Sequence, residues 1–238
     1  MIAEINLRAS GLTDKGLVRS QNEDALLLIP DHGVFIVADG MGGHNDGRFA
    51  SQAIVESFSR LSNSGTATDL LEQIEDRLAI ANDKIFRRGQ SSGKTVGSTV
   101  AILLVFSCYY ACLWSGDSRI YLIRNNQIKQ ITKDHTEVQE LIDAGMLSEG
   151  NAVSWPRRNV ITRAIGVNEF AQIDIEQGQI EPRDLYILCS DGLHNLVSEE
   201  EMLAMADEPL PDLMCCKLVN LALERGAADN VTVVVVSA

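Results

Sequence analysis

No stretch of this chain is apolar for longer than a strand, and no basic leader followed by an apolar segment opens it. Neither membrane insertion nor export is expected, and a soluble cytoplasmic protein is. Basic residues are outnumbered, 20 against 33 acidic ones, and a net charge of -13 lacks the positive footprint of a general DNA or RNA binder. No nucleic-acid partner is expected. Cysteine is scarce and odd in number: Cys108, Cys112 and Cys189 lie in apolar strand-like runs, and Cys215 and Cys216 are adjacent on a predicted helix. That arrangement excludes a disulfide framework and reads as buried free thiols in a reducing compartment. No Cys and His cluster has zinc spacing. Internal repeats, linkers and low-complexity tracts are also missing, so 238 residues with 45% hydrophobic side chains are expected to fold as one domain over 1–238.

What the chain does have is three carboxylates placed where an apolar run meets a tight turn: Asp39 in GVFIVADGMGG, Asp191 in LYILCSDGL and Asp229 in GAADNVTVVVV. Such runs read as buried strands, and charged oxygens at their ends, with no basic partner nearby in sequence, suit hard divalent cations. One aspartate before a glycine is ordinarily a turn residue. Three together suggest a metal-assisted hydrolase. Gly42, Gly43 and Gly47 fit neither a P-loop nor a dinucleotide fingerprint and read as turn glycines.

The pattern predicts a first extended segment near 3–9, then two strands, ALLLIP and GVFIVAD, joined through Pro30-Asp31-His32-Gly33 as a hairpin that delivers Asp39 to a strand end. Helical spacing follows over 48–60 and 68–88. STVAILLVF, YYACLWSG, SRIYLIRNNQIKQIT, DLYILCS and VTVVVVS return to sheet, with Asn125-Asn126 as a hairpin turn and antiparallel pairing rather than repeated crossover units. A last helix, DLMCCKLVNLALER, stops at Gly226. The fold class is α+β, sheets enclosed by helices. Residues 134–161 stand apart: TEVQELIDAGML reads as a short helix, whereas SEGNAVSWPRRN has no period. The segment is either an ordinary connection or a mobile lobe beside a substrate cleft.

VRSQNEDALLL, VADGMGGHNDG, GST at 97–99, WSGDSRIYLIR, DHTEVQELIDAG, RNVITRAIG, CSDGLHNLV and ADNVTV, in this order over residues 11–235, resemble the metal-dependent protein serine/threonine phosphatases called PPM or type 2C, in their compact bacterial branch. The resemblance implies a four-layer α-β-β-α sandwich, two stacked mainly antiparallel sheets flanked by helices, with a flap at about 134–161. It implies hydrolysis of phosphoserine and phosphothreonine in proteins by direct attack of a metal-bridging water, opposing a Ser/Thr kinase, with two catalytic Mn2+ or Mg2+ ions and a third. A monomer is expected.

By the same resemblance Asp39 is the carboxylate shared by both catalytic ions, the Gly40 carbonyl completes one side, and Asp191 and Asp229 hold the other ion. Asp117 is the further acidic ligand of the third ion, or else a hairpin aspartate capping its own turn. Arg19 contacts the substrate phosphate, for which a guanidinium offers a planar fork of donors. Glu23 acts through water, Asp24 supports the site, and Asn230 orients the turn carrying Asp229. Gly97, Ser98 and Thr99 read as structural support. Met41 stands where many eukaryotic relatives carry a histidine general acid. His44 is expected to brace the loop, His32 and His194 to be peripheral, and His135 to cap or pack at the flap entry. Trp155, Arg157 and Arg158 are candidate flap contacts to substrate, with packing of Trp155 onto the domain as the alternative. Two other functions share these residues: a non-catalytic phosphoprotein-binding regulator, and a phosphatase of small phosphate esters.

Overall fold

The computed structural model describes residues 7–238 apart from 44, 153 and 209. In chain order it has β1 Arg8–Asp14, β2 Asp24–Ile29, β3 Val34–Met41, α1 Asp46–Ser57, α2 Ala67–Ser92, β4 Gly97–Ser98, β5 Val100–Phe106, β6 Tyr109–Ser115, β7 Arg119–Arg124 and β8 Gln127–Gln130. The second half adds α3 Glu137–Asp143, α4 Glu149–Ala152, β9 Asp174–Gln179, β10 Leu185–Cys189, α5 Asp191–His194, α6 Glu199–Ala204, α7 Pro211–Glu224 and β11 Val231–Ser237.

One sheet runs β1-β11-β10-β7-β8 and the other β2-β3-β5-β6-β9, with β4 paired to β3. Every strand pairing is antiparallel. Successive side chains on a strand face opposite ways, so each central strand serves two cores. In β3, Val34, Ile36 and Ala38 pack under α1 and α2, while Phe35 and Val37 face the other sheet. In β11, Val233 and Val235 pack against α7, while Val234 and Val236 point between the sheets. Burial on both faces is why these runs are continuously apolar rather than alternating. The result is the expected four-layer sandwich of helices, sheet, sheet and helices.

Local signals explain the boundaries. Helix α2 starts with a capping box between Thr66 and Asp69 and ends at left-handed Gly93. Helix α1 ends at Ser57, and a short 3-10 turn covers Phe58–Arg60. Asn125 and Asn126 take φ of 52° and 58°, as a two-residue hairpin turn requires. The first strand is shifted from expectation: it covers Arg8–Asp14 and pairs Gly11 with Val234. A Cβ on Gly11 would lie 3.1 Å from both Leu28 and Val234, so this glycine serves close sheet packing. Residues 3–6 and His44 lie outside the described residues. Strand β9, DIEQGQ, was not expected because it is a largely exposed edge with no apolar run. All five cysteines are free, and Cys112, Cys189 and Cys215 are buried, but Cys108 is half-buried and Cys216 is exposed. Among the described residues no helix is long and apolar enough to cross a membrane.

Candidate functional site

The apolar layer between the sheets becomes polar at one end, and the strand period decides which residues arrive there. Extending the inward rows by two residues leads from Phe35 and Val37 to Asp39, and from Leu28 and Leu26 to Asp24. The same step leads from Leu188 to Ser190, from Val234 to Thr232, from Ile120 to Ser118 and from Ala101 to Thr99. Asp24 and Asp39 are directly opposite one another on β2 and β3. Like charges in facing positions repel unless a cation lies between them.

Asp24 is 5% exposed, and its Oδ2 accepts from the Ser190 hydroxyl at 2.9 Å and the Thr232 hydroxyl at 2.6 Å. Burial, partly offset by these two bonds, pushes its pKa up to about 6. Thr232 in turn lies 2.7 Å from the Thr13 hydroxyl. Thr232→Val is therefore expected to destabilise the protein by about 1–3 kcal/mol at pH 8, where Asp24 is charged. The loss shrinks below pH 6, where Asp24 is protonated. Urea unfolding at both pH values checks this.

Asp39 is fixed through its backbone: its N–H donates to the Thr99 hydroxyl at 3.1 Å, its carbonyl accepts from Thr99 N–H at 2.8 Å, and Thr99 bonds Ser118 at 2.7 Å. Burial raises the Asp39 pKa well above the usual carboxylate range, and Asp24, Asp191, Asp117 and Asp229 raise it further. The next residue, Gly40, donates its N–H to the Glu23 carbonyl at 3.1 Å, and a Cβ there would sit 2.0 Å from the Gly47 carbonyl oxygen. No side chain fits. The Glu23 carboxylate accepts from Gln21 Nε2 at 3.0 Å and lies against Gly47.

Asp191 is delivered by the end of β10 at the first position of α5, with a pKa pushed up to about 6, first by burial and then by Asp229. Asp117, in the turn before β7, is 7% exposed and is raised to about 7, first by burial and then by Asp191. Its backbone carbonyl accepts from His194 Nε2 at 3.0 Å. Desolvation lowers the His194 pKa to about 4, so the ring is neutral and acts as a donor. His194 is thus tied to the Asp117 turn, not peripheral as expected. Sequence reading also passed over Ser118, Ser190 and Thr232. Their signal is the continuation of each inward apolar row by two residues.

Arg19 meets Asp229 as a bidentate pair, Nε to Oδ1 at 2.8 Å and Nη2 to Oδ2 at 2.7 Å. Asn230 does more than brace its own turn. Its Oδ1 accepts from Glu23 N–H at 2.8 Å, and its Nδ2 donates to the carbonyls of Lys15 at 2.8 Å and Gln21 at 3.1 Å. One buried amide therefore sews the segment carrying Arg19 and Glu23 to the loop carrying Asp229.

Among the described residues no three His, Cys, Asp or Glu side chains are already grouped closely enough to hold a metal ion. Two observations nevertheless fit a hard cation here. Asp24 Oδ1 and Asp191 Oδ1 are buried oxygens without a hydrogen-bond partner, and Asp24, Asp39, Asp117, Asp191 and Asp229 act on one another as like charges. An all-oxygen donor set of this kind suits Mg2+ or Mn2+.

The flap residues turn toward each other. Trp155 Nε1 donates to Glu137 at 3.3 Å and Arg157 pairs with the same carboxylate at 2.8 Å. His135 packs at the flap entry: it is 6% exposed, its Nδ1 accepts from Gly116 N–H at 3.2 Å, and its Nε2 is 3.1 Å from Asp174.

Residues 8–231 match the family model described as Protein phosphatase 2C. The chain is 35% identical over 231 residues to the serine/threonine protein phosphatase PstP of Mycobacterium tuberculosis, a match covering 96% of this chain and 44% of PstP. It thus spans less than half the length of that relative. It is also 35% identical to the protein phosphatase PhpP of Streptococcus pneumoniae, with 97% of each covered. PppA, a key regulatory component of T6SS in Pseudomonas aeruginosa, superposes with a TM-score of 0.90 at 36% identity over 98% of both chains. The catalytic domain of PstP in complex with two manganese ions does so with a TM-score of 0.86 at 33% identity over 97% of both.

Proposed function

The chain belongs to the protein phosphatase 2C family, and from that premise we propose that it hydrolyses phosphoserine and phosphothreonine in proteins, using Mn2+ or Mg2+. The observation that carries this reading is the facing pair Asp24 and Asp39 at the polar end of the inter-sheet layer, with Asp191, Asp117, Asp229 and Arg19 around it. Asp39, the Gly40 carbonyl, Asp191 and Asp229 would hold two ions, and Asp117 with Asp191 a third. When bound, such ions supply Lewis-acid charge for the phosphoryl oxygens and lower the pKa of a water.

The chain's own groups do the rest. Arg19 carries five N–H donors, of which Asp229 takes two, so a second edge of the guanidinium can meet a phosphate. Asp24 is locked in place opposite Asp39 by two hydroxyls. Glu23 sits beneath Gly47, and Asn230 holds the Arg19 segment at a fixed distance from Asp229. Met41 carries no proton to give, so the leaving alkoxide takes its proton from water. We assign the whole chain to one phosphatase domain with a flap over about 134–161, in which Trp155, Arg157 and Arg158 border the substrate. We further place it as a cytoplasmic monomer opposing a Ser/Thr kinase.

The test is release of inorganic phosphate from a phosphothreonine peptide after chelation and add-back of Mn2+ or Mg2+. Release that returns with the metal is the expected result. A folded protein that releases nothing from several phosphoproteins with either ion would instead favour the phosphoprotein-binding reading.

A further inference from the structure

Leu17 and Val18 are 65% and 71% exposed. A single apolar side chain in solvent is ordinary. These two are consecutive, they directly precede Arg19, and their backbone is clamped. Leu17 N–H donates to the Ala227 carbonyl at 2.8 Å, and Asn230 holds the carbonyls of Lys15 and Gln21 on either side. Between them Gly16 takes φ +75°, so close to the Asp229 loop that a Cβ would lie 2.1 Å from the Asp229 carbonyl oxygen. Its N–H donates to Asp14 Oδ1 at 2.7 Å. A loop fixed at these points cannot fold its two apolar side chains into the core. It holds them in solvent one and two residues before Arg19, with Cα atoms roughly 4–7 Å from that of Arg19 along the chain.

We propose that Leu17 and Val18 are a docking step for an apolar side chain flanking the phosphorylated serine or threonine of a protein substrate. The inference rests on the phosphatase reading and names its substrate class. The occupant is a phosphoprotein segment because the step is continuous with the arginine that meets phosphate. An apolar neighbour fits better than an acidic one, because two exposed apolar side chains offer surface to bury but no partner for a charge that loses its hydration against them. Binding there removes apolar surface from water on both partners without ordering a loop, since the loop is already ordered. A small phosphate ester has no flanking residue and gains nothing from the step.

The experiment compares wild type with Leu17→Ser/Val18→Ser on three Mn2+-supported substrates: a phosphothreonine peptide with leucine on both sides of the phosphorylated residue, the same peptide with serine in those places, and p-nitrophenyl phosphate. Wild type is expected to prefer the leucine peptide, and the double variant to lose roughly 3- to 10-fold in kcat/KM on that peptide alone, mainly through KM. Equal rates on both peptides in wild type overturn the inference, as does a variant that keeps the wild-type preference. A variant that also loses the small ester overturns it too, because the loop then acts only by placing Arg19. Leu17→Ala and Val18→Ala, tested singly, repeat the comparison if the double variant does not fold. Failure of wild type on every ester overturns the phosphatase reading itself and is distinguished from the other outcomes in the same assay.

Discussion

Asp39→Asn is expected to abolish phosphate release, by at least about a thousandfold, while making the chelated protein more stable. The two effects have one cause. Asp39 faces Asp24 across a strand pair and feels Asp191, Asp117 and Asp229 as well. On the reading proposed above, a divalent cation held there would draw its binding energy from that charge, and several kcal/mol of charge stabilisation would be worth three powers of ten or more in rate. With the cation chelated the same charge is repulsion, and a neutral isostere relieves it by about 1–4 kcal/mol. Asn keeps the size, and the backbone bonds to Thr99 do not involve the side chain.

A pH dependence accompanies this result. Asp24 and Asp191 are raised to about 6 and Asp117 to about 7 from an ordinary value of 3.8, so the folded state binds their protons more tightly than the unfolded chain does. The stability gained from protonation is fully present below about 3.8 and is lost as pH rises through 6 to 7. The chelated wild type should therefore melt lower at pH 8 than at pH 5.5, and Mn2+ should restore stability mainly at the higher pH. Thermal unfolding of wild type and D39N, each with chelator and with Mn2+, decides it. Equal melting temperatures for the two chelated proteins at pH 8 would mean that the carboxylates do not strain the fold.

The layers were legible because burial on both sides of a strand leaves an uninterrupted apolar run. VTVVVV, VAILLVF and VFIVAD each show one. The ends of such runs, LYILC before Asp191 among them, also marked Asp39, Asp191 and Asp229, since a carboxylate next to a fully buried strand needs a reason to be there. The supporting hydroxyls were harder to see. Thr232 and Ser190 are ordinary residues in sequence, and only the stacking of the sheet that holds β2 on the sheet that holds β10 and β11 shows both on one oxygen of Asp24. Strand β9 escaped for the opposite reason: an exposed edge has no apolar period to read. His194 looked peripheral because nothing local in DGLHNL announces a bond to a carbonyl 77 residues away.

Arg19→Ala is expected to lower kcat/KM for every phosphate ester by roughly a hundredfold or more, with little change in stability. In the structure the arginine is bonded to Asp229, and an ion pair of this kind invites a structural reading. Exposure argues against it: the two side chains are 54% and 39% open to solvent, where such pairs contribute less than about 1 kcal/mol. What the pair does supply is orientation. Asp229 is itself held by Asn230 N–H at 2.8 Å, so the guanidinium plane is set by a fixed loop, and Asp229 takes only two of its five N–H donors. Arg19→Lys keeps the charge but not the fork, and should recover only part of the loss, with KM still raised. Steady-state kinetics on a phosphopeptide and on p-nitrophenyl phosphate, beside urea unfolding, separate the two roles. A variant that loses activity and stability in proportion would make Arg19 a clamp for the Asp229 loop. A loss of activity at constant stability makes it the group that meets the phosphate.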